Sequence, residues 1–554
     1  MFSSHRRSSL ICLAWSAIAL ASPTSTSLEV RVEAPIVDLG YAQYQGTYNA
    51  TDNLTSFLGI RYAAPPTGAL RWMPPQVPAY VAGVQQADTN PDMCYQTNYG
   101  GNNTAPVPPY GLTGTTGPLR KRADATPAAS EDCLYLNVFT PGATLPAEPT
   151  TTDGLPVLVW IHGGGYEAGY AAEFPGNDLL IDSDNQMVVV VMQYRLGVFG
   201  FLSSNEIKAG GAVNAGLLDQ TYALQWVQEN IGKFGGNAAH VTIWGESAGA
   251  GSVLQHMVAN GGNTQPPLFN YAITSSTFLP SQYYYNDRVP ELLYSEVLNY
   301  TGCTTAADTL FCLREADVTT LQTANYNLAS SSAFYGTYVF VPVVDGEFIQ
   351  ERPSVTIAGG KLNGDLYFAV GNSHEGNIFV NQTEAYMPAE YVANLFPDMT
   401  QEQVEQAAYL YSDMGTPIEQ ANWIMGDSIF VCPTYYLLAA YPGRSWKGLF
   451  AIPPGYHGND VIYYFNGTAP PYNNPTFINA FAQSFMSVAM YGNVNQKYDP
   501  TNITPYWEEY SAGNFEMLFN ETESGAPLVA PFTTDPGLIE RCAFWRGVTA
   551  NTAQ

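Results

Sequence analysis

The sequence predicts an α/β fold in which helices flank a large, mostly parallel central sheet. Three short apolar runs, Val157–Ile161, Met187–Met192 and Val241–Trp244, are unbroken rather than alternating, as expected for strands buried on both faces. Between the last two, Leu217–Phe234 places apolar side chains at helical spacing and ends at Gly235–Gly236, a typical C-cap pair. Strand, loop, strand, helix and strand in this order are typical of an α/β protein.

Length and composition indicate one large globular domain with an acidic surface. The 554 residues are 46% hydrophobic and 13% aromatic, which is enough to bury an extensive core. No internal repeat and no convincing linker divides the chain, so we expect a single domain over residues 22–554. Lys and Arg number 20 against 48 Asp and Glu, a net charge of −28 that argues against nucleic-acid partners and polybasic membrane docking.

The N-terminal segment predicts export from the cell. Arg6 and Arg7 precede a short apolar run, Leu10–Leu20, and Ala19-Leu20-Ala21 supplies small residues for a peptidase. This order is that of a secretory signal peptide, so we expect residues 1–21 to be removed. The run is too short to span a bilayer, and no later apolar segment is long enough. We therefore expect a secreted protein without integral membrane association.

Cysteines and sequons agree with secretion. An even number of cysteines follows the signal segment, which favours disulfides in an oxidising compartment. They are Cys94, Cys133, Cys303, Cys312, Cys432 and Cys542. Spacing makes Cys303–Cys312 a natural small loop and leaves the other pairings open. The Asn-x-Ser/Thr sequons, which predict N-glycosylation, are Asn49, Asn53, Asn102, Asn299, Asn381, Asn466, Asn502 and Asn520.

One stretch departs from the composition of the rest. Residues 95–130 contain five prolines, a glycine-rich part and the basic cluster Arg120-Lys121-Arg122, which together predict a long surface loop. The cluster is either a solvated basic turn or a site of proteolytic cleavage after Arg122, and the two interpretations have similar weight.

The clearest sign of chemistry is Gly245-Glu246-Ser247-Ala248-Gly249, directly after the apolar run that ends at Trp244. In a tight strand-to-helix turn, glycines two residues before and after a serine relieve steric clashes and leave its oxygen exposed. The alternative is an ordinary glycine-rich turn. The buried strand in front and the small residues of Ala248–Ser252 behind favour a nucleophile.

A serine nucleophile needs a base, which is nearly always histidine. Position along the chain argues against four of the six histidines: His5, His162, His240 and His256. Of the remaining two, His457 lies in a loop of Pro and Gly, residues 453–458, that can present an imidazole at a sheet edge. We favour His457 and keep His374 as the alternative.

The orienting acid lies between the serine and the histidine in chain order. Glu375 follows the apolar run Leu366–Val370 and a short polar turn, which is where an acid at a strand end belongs. Asp345 is the rival, although Asp345-Gly346 is also an ordinary turn pair.

A second glycine motif, His162-Gly163-Gly164-Gly165, follows the strand Val157–Ile161. Acyl transfer develops negative charge on the carbonyl oxygen, and consecutive glycines can aim backbone N–H groups at that oxygen without obstruction. The alternative is a merely flexible loop. The second strand followed by a glycine motif, Gly245–Gly249, argues against that alternative.

These motifs resemble the type-B carboxylesterase/lipase family of cholinesterase-like α/β-hydrolases, which includes secreted fungal lipases and non-catalytic adhesion proteins such as neuroligins. The similar segments cover nearly the whole mature chain. They are Phe57–Pro66, Leu70–Trp72, Glu131–Val138, His162–Gly165, Gly216–Gln220, Phe234–Gly236 and Val241–Ala250.

The resemblance implies an α/β-hydrolase fold and a serine carboxylic-ester hydrolase that works through an acyl-enzyme. It implies that Ser247 is the nucleophile, Glu375 the acid and His457 the base. The oxyanion N–H groups implied by the resemblance belong to Gly164, Gly165 and Ala248. The implied disulfides are Cys94–Cys133, Cys303–Cys312 and Cys432–Cys542.

Three departures from the family pattern are visible: one lies beside the acid, and the other two bear on the expected substrate. His374 replaces the Asp or Asn that usually precedes the Glu-Gly pair, which brings a second histidine next to the acid. The Cys94–Cys133 loop lacks the tryptophan that cholinesterases use for choline, which argues against a choline-ester specialist. Its prolines and glycines also interrupt every amphipathic helix that could form a lipase lid.

We therefore expect small-molecule esters of short or medium acyl chain as substrates, with a true triacylglycerol or sterol-ester lipase as the alternative. The alternative from a different class is a catalytically inactive adhesion or binding relative. No cofactor and no metal is expected, since the sequence has no P-loop, HExxH or Rossmann glycine motif. The sequence leaves the oligomeric state open.

Overall fold

The computed structural model describes residues 34–102, 128–465 and 467–554, in which an 11-stranded sheet forms the centre. Its strands are β1 Thr47–Asn49, β2 Leu54–Arg61, β3 Tyr135–Pro141, β4 Leu155–Ile161, β5 Val188–Met192, β6 Gly236–Glu246, β7 Tyr271–Ser275, β8 Leu366–Asn372, β9 Ser445–Phe450, β10 Phe515–Glu521 and β11 Pro527–Thr533. Their order across the sheet is β11-β10-β9-β8-β7-β6-β4-β5-β3-β2-β1.

The middle of this sheet is parallel and both margins are antiparallel. Parallel pairing runs from β5 through β4, β6, β7, β8 and β9 to β10. At the margins, β11 pairs antiparallel with β10, and β5, β3, β2 and β1 pair antiparallel in turn. The three runs predicted as strands form most of β4 and β5 and the last part of β6, so that prediction is confirmed.

Helices flank the sheet and connect its strands. They are α1 Gly176–Asp182, α2 Gly197–Phe201, α3 Asn205–Gly210, α4 Ala215–Asn230, α5 Ala248–Gly262, α6 Arg288–Thr301, α7 Thr309–Glu315, α8 Val318–Ser332, α9 Pro353–Ala358, α10 Pro388–Leu395, α11 Gln401–Leu410, α12 Pro417–Gly426, α13 Cys432–Ala440, α14 Pro475–Tyr491, α15 Pro536–Gly547 and α16 Thr549–Thr552. A π-helical turn, Asp427–Val431, joins α12 to α13. In one small sheet, Gln43–Gln45 pairs with Ile36–Asp38 on one side and with Val84–Gln86 on the other. In a second small sheet, Met93–Cys94 pairs with Ala129–Ser130.

The predicted helix over Leu217–Phe234 is present with a change of geometry near its end. It consists of α4 followed by a 3₁₀ turn, Ile231–Phe234. Gly235 then adopts φ +87°, a left-handed conformation that glycine accepts without steric cost. The glycine therefore ends the helix as the sequence predicts.

Two hydrophobic cores lie on opposite faces of the sheet. Val157, Val159 and Ile161 of β4 belong to one core, which also contains buried residues of α4 and α5. Leu158 and Trp160 belong to the other, which contains the phenylalanines of α14. Because successive strand residues point to opposite faces, a strand covered on both sides must be apolar throughout.

Trp160 and Trp244, from the adjacent strands β4 and β6, meet in the core that α14 covers. Their ring centroids are 5.0 Å apart with an interplanar angle of 84°. The ring of Phe485 stacks on Trp244 at 4.4 Å. Burying each such ring contributes roughly 1.5–3 kcal/mol, so this contact firmly anchors the middle of the sheet.

The disulfides of the structure join Cys94 to Cys133, Cys303 to Cys312 and Cys432 to Cys542, the pairs that the resemblance implies.

In the ranges given above, no helix has both the length and the apolar character needed to cross a membrane. The expected signal peptide, residues 1–21, and the basic cluster Arg120–Arg122 lie outside the described residues.

Candidate active site

Ser247 lies between the end of β6 and the start of α5. Its backbone adopts φ 57° and ψ −124°, a conformation that is costly for any residue with a Cβ atom. Its N–H donates to the carbonyl of Ser275 at 3.0 Å, and its own carbonyl accepts from the N–H of Gly251 at 2.8 Å. These contacts hold the strained turn that the sequence predicts, although the serine itself is buried, with 7% of its surface exposed.

The two flanking glycines are required by contact, as predicted. A Cβ atom on Gly245 would lie 2.3 Å from the carbonyl carbon of Gly249. A Cβ atom on Gly249 would lie 2.0 Å from the carbonyl oxygen of Ile161 at the end of β4. Both distances are far below van der Waals contact, so any larger residue would displace the turn that holds Ser247.

Glu375 and His457 meet although 82 residues separate them. Nδ1 of His457 lies 2.6 Å from Oε2 of Glu375, and both side chains are almost completely buried. Glu375 follows β8, and His457 follows β9, which is parallel to β8. The carboxyl ends of parallel neighbours meet at one edge of a sheet, which is why two distant residues come together here.

The other oxygen of Glu375 is held by two further donors. Oε1 accepts from the hydroxyl of Ser276 at 2.7 Å and from the backbone N–H of Asn372 at 2.6 Å. These bonds leave Oε2 to His457 and fix the plane of the carboxylate. The imidazole consequently has one defined orientation, with Nδ1 toward Glu375 and Nε2 toward the serine turn.

The remaining histidines have other partners. His162 stacks on Tyr194 at 4.5 Å, and burial lowers the pKa of this histidine to about 4. His240 and His256 contact the Ala489 carbonyl and the Gln220 amide. His374 is exposed and its Nδ1 lies 2.9 Å from the Ser373 hydroxyl.

The rival acid, Asp345, lies in a separate turn. Its Oδ2 accepts from the side chain of Asn214 at 2.7 Å, and its Oδ1 accepts from the backbone N–H groups of Glu347 and Ile349. Asp345 thus binds its own turn and the residue that precedes α4, which favours Glu375 over Asp345 as the partner of the histidine.

Two buried carboxylates beside His457 were not anticipated from the sequence as site residues. Oε1 of Glu246 lies 3.3 Å from Nε2 of His457, without the angles of a hydrogen bond. Asp460 is completely buried and accepts from Asn372 at 2.9 Å and from the hydroxyl of Tyr464 at 3.1 Å. Glu246 was visible only as the variable residue of G-x-S-x-G, and no local signal marks Asp460.

These carboxylates change the protonation of the site. Burial alone disfavours an imidazolium, but Glu246, Glu375 and Asp460 outweigh it and raise the pKa of His457 above its ordinary value. Burial, with the neighbouring carboxylates, raises the pKa of Glu246 to about 8. Burial likewise raises the pKa of Asp460 to about 6. Glu246 and His457 are so close that they titrate as a coupled pair.

The glycine loop packs directly against the serine turn. A Cβ atom on Gly163 would lie 3.0 Å from Cβ of Ser247. Gly164 and Gly165 have φ +101° and +68°, conformations that favour glycine. Within the described residues, their N–H groups donate to no backbone acceptor. The resemblance implies that these N–H groups bind an oxyanion together with the N–H of Ala248, which follows the serine, and this stays a prediction.

Aromatic rings pack around His457. Phe430 and Phe379 contact the His457 ring at 4.5 and 4.9 Å between centroids. The ring centroid of Phe278 lies 5.4 Å from that of Phe430 and 5.8 Å from that of Tyr338. The surroundings of the histidine are therefore largely apolar. In the part of the chain that the structure covers, no cluster of His, Cys, Asp or Glu could hold a metal ion.

The sequons differ in accessibility. The exposed asparagines are Asn49, Asn53 and Asn299, and those of intermediate exposure are Asn102, Asn381 and Asn520. Asn502 is buried and its side-chain amide donates to Gln483 at 3.0 Å, so we no longer expect a glycan there. Asn466 lies outside the described residues.

Comparisons with known proteins agree with this architecture. The crystal structure of EstA from Aspergillus niger has a TM-score of 0.80 and 29% identity, covering 94% of this chain and 99% of that one. Lipase 2 of Geotrichum candidum is 31% identical over 509 residues, which are 84% of this chain and 87% of that protein. Secreted triacylglycerol lipase LIP1 of Gibberella zeae is 30% identical over 559 residues, 93% of this chain and 91% of that one.

The parallel sheet and the serine turn after β6 define an α/β-hydrolase fold, which the match to a solved esterase supports. A sequence-family model described as "Carboxylesterase family" matches residues 33–528. The chain belongs to the carboxylesterase family, whose similar members include fungal lipases, and it is a carboxylic ester hydrolase.

Proposed function

We propose that the protein is a secreted serine esterase that cleaves esters of short or medium acyl chain through Ser247, Glu375 and His457. The observation that carries this proposal is the 2.6 Å contact between Glu375 and Nδ1 of His457. It leaves Nε2 of His457 buried, without a hydrogen-bond partner in the described residues, and facing the turn that presents Ser247. An unpaired imidazole nitrogen at this place can accept the serine proton.

The reaction follows from these positions. Nε2 of His457 takes the proton from Ser247 as the serine oxygen attacks the ester carbonyl, and Glu375 stabilises the imidazolium. The N–H groups of Gly164 and Gly165 stabilise the oxyanion. The tetrahedral intermediate then expels the alcohol, which takes the proton from His457. Water repeats the sequence on the acyl-enzyme and releases the carboxylic acid.

The preference for short and medium acyl chains is supported by the volume next to the site. A cavity of about 70 Å³ begins at Tyr338 and is bounded by Phe201 and Phe340. One water needs ~10–15 Å³ of such space, so the cavity has room for roughly five water-sized groups. Ser247 does not line this cavity, whereas Tyr338, whose ring contacts the backbone of Gly165, does.

Two alternatives have different support. A true lipase is favoured by the relatives, one of which is named as a secreted triacylglycerol lipase. The same name supports export, in agreement with the predicted signal peptide at residues 1–21. An inactive adhesion protein is disfavoured, because the chain has retained Ser247, His457 and Glu375, the three residue types that the reaction needs.

The test of the triad is Ser247→Ala. We expect ester hydrolysis to fall by roughly three orders of magnitude or more while the protein remains folded, since removal of a triad member has this effect. His457→Ala should match it. His374→Ala, at the other candidate histidine, is the control and should lose little. More than about a tenth of wild-type turnover in Ser247→Ala would contradict the proposal.

A series of p-nitrophenyl esters of increasing acyl length, run beside an emulsified long-chain triglyceride, tests the substrate class. We expect kcat/KM to be highest for short or medium chains. Faster cleavage of the triglyceride than of any short ester would favour the lipase alternative.

A further inference from the structure

The glycine loop contains a buried acid that the proposed reaction does not use. Glu167 follows Gly163–Gly165 by two residues and is completely buried. Its Oε1 accepts from the backbone N–H groups of Val339 at 3.1 Å and Phe340 at 3.0 Å. In the described residues, its Oε2 has no hydrogen-bond partner. The side chain therefore joins the glycine loop to a segment almost 175 residues further along the chain.

That segment carries a ring that closes on the loop. A Cβ atom on Gly165 would lie 2.0 Å from Cε1 of Tyr338, so the ring rests directly on the glycine backbone. Tyr338 immediately precedes the two residues whose N–H groups Glu167 binds. A segment released from Glu167 would let this ring move away, and Gly165 would regain its freedom of φ and ψ.

Backbone bonds of Glu167 secure the loop from its other sides. Its N–H donates to the carbonyl of Gly164 at 3.0 Å, and its carbonyl accepts from the N–H of Thr97 at 2.7 Å. Thr97 lies three residues after Cys94, which the disulfide to Cys133 holds. Glu167 thus connects the glycine loop with two other parts of the chain, and only its side chain reaches the segment with Tyr338.

Burial raises the pKa of Glu167 to about 8, although the N–H groups of Phe340 and Val339 oppose the rise. At neutral pH the side chain is therefore mainly a neutral carboxylic acid. A neutral acid accepts two N–H bonds through its carbonyl oxygen without burying an unpaired charge. A glutamine side chain has the same shape and the same acceptor.

We propose that Glu167 is a positioning residue, which holds Tyr338 against Gly165 so that the oxyanion N–H groups of the glycine loop keep a fixed direction. The inference rests on the proposed function, because it assigns a purpose to the loop only if an oxyanion forms at Ser247. Loss of Glu167 affects the transition state more than the bound ester, since donors aimed at the oxyanion act mainly there.

The experiment compares Glu167→Ala with Glu167→Gln, and uses Glu508→Ala, at an exposed acid, as the control. For Glu167→Ala we expect kcat on p-nitrophenyl butyrate to fall about 100-fold, with KM changed less than about threefold, as for a lost oxyanion donor. Inhibition by an alkyl trifluoromethyl ketone, whose adduct with serine carries an oxyanion, should weaken by the same factor. Glu167→Gln should stay within about threefold of wild type.

A merely structural role would lower the melting temperature without this split between kcat and KM. Because Glu167→Ala leaves two N–H groups buried and unpaired, it could fail to fold. Tyr338→Ala then decides, since Tyr338 is only partly buried, and the proposal expects its kcat to fall by about tenfold. The inference is overturned if folded Glu167→Ala or Tyr338→Ala keeps a kcat above half of the wild-type value. It is also overturned if Glu167→Gln is as impaired as Glu167→Ala. Activity in Ser247→Ala would instead refute the proposed function itself.

Discussion

At the scale of single residues, His457 stands out because three carboxylates surround one imidazole. Glu375 binds Nδ1, Glu246 lies 3.3 Å from Nε2, and Asp460 adds its charge from three residues further along the chain. A base must be neutral to accept the serine proton, so activity is lost as the pH falls through the pKa of His457. Since that pKa is raised, we expect the acid limb of kcat/KM to lie above the ordinary histidine value of ~6.5.

Glu246→Gln tests this arrangement. A neutral amide cannot stabilise an imidazolium as a carboxylate does, so the pKa of His457 should fall and the acid limb of kcat/KM should move to lower pH. The measurement is a pH profile of kcat/KM on a soluble ester. Glu523→Gln, at an exposed acid between β10 and β11, is the control and should leave the profile in place. A shift of the limb to higher pH would show that Glu246 does not charge the histidine.

The candidate site was only partly readable from sequence. Ser247 follows from its glycines, and His457 and Glu375 follow from chain order and from the loops in which they lie. Glu246 and Asp460 could not be assigned, because their effect depends on how closely β6 and the loop after β9 approach each other. The distance between β6 and that loop is set by the folded sheet, and the local sequence pattern does not encode it.

At the scale of elements, β8 and β9 lead into the loops of the candidate site, and a buried ion pair joins β9 to β10. Nζ of Lys447 on β9 lies 3.6 Å from Oε2 of Glu516 on β10, and both side chains are almost fully buried. Glu516 also accepts from the hydroxyls of Tyr435 at 2.7 Å and Thr534 at 2.5 Å. Burial lowers the pKa of Lys447, while Glu516 and Glu375 oppose the change. This charge pair is therefore part of the packing that supports Glu375.

Lys447→Met should destabilise the protein by about 3–5 kcal/mol, because Glu516 would stay buried without its cation. The double variant Lys447→Met/Glu516→Gln removes both charges and should recover most of this loss. Arg288→Met, which breaks the exposed pair with Asp398, is the matched control and should change stability by less than about 0.5 kcal/mol. Urea unfolding midpoints measure all three. Equal losses in the single and double variants would contradict the expected penalty for an unpaired charge.

Strands were easier to predict than the elements around the site. β4, β5 and most of the apolar part of β6 are visible as unbroken apolar runs, since two helical layers cover them. The π-helical turn Asp427–Val431, which presents Phe430 to His457, has no such signal. Its conformation depends on packing against several elements at once, so a local pattern cannot specify it.

At the scale of the whole molecule, two features bear on whether the enzyme acts on dissolved esters or at a lipid interface. They are the net charge of −28 and the composition of the disulfide loop. The sequence between Cys94 and Cys133, with its prolines and glycines, argues against an amphipathic helix, and a strongly acidic surface is not attracted to anionic interfaces. Most of this loop lies outside the described residues, so the expectation rests on sequence.

We therefore expect no interfacial activation. The rate of tributyrin hydrolysis should rise smoothly as the substrate concentration passes its solubility limit, because the disulfide loop is not expected to form an amphipathic lid that opens at an interface. Hydrolysis of p-nitrophenyl butyrate below its own limit serves as the control for enzyme activity. A sharp increase in rate at the tributyrin limit, together with faster cleavage of long-chain triglyceride, would identify a true lipase.

The edge-to-face contact of Trp160 and Trp244 gives the molecule an intrinsic optical probe. Two indoles with centroids 5.0 Å apart couple their electronic transitions, and the resulting near-ultraviolet circular dichroism depends on a rigid geometry. Trp244 lies on β6, three residues before Ser247, so this signal reports without any label on the strand that leads to the candidate nucleophile. An inactive variant that keeps the signal has retained the packing of its sheet.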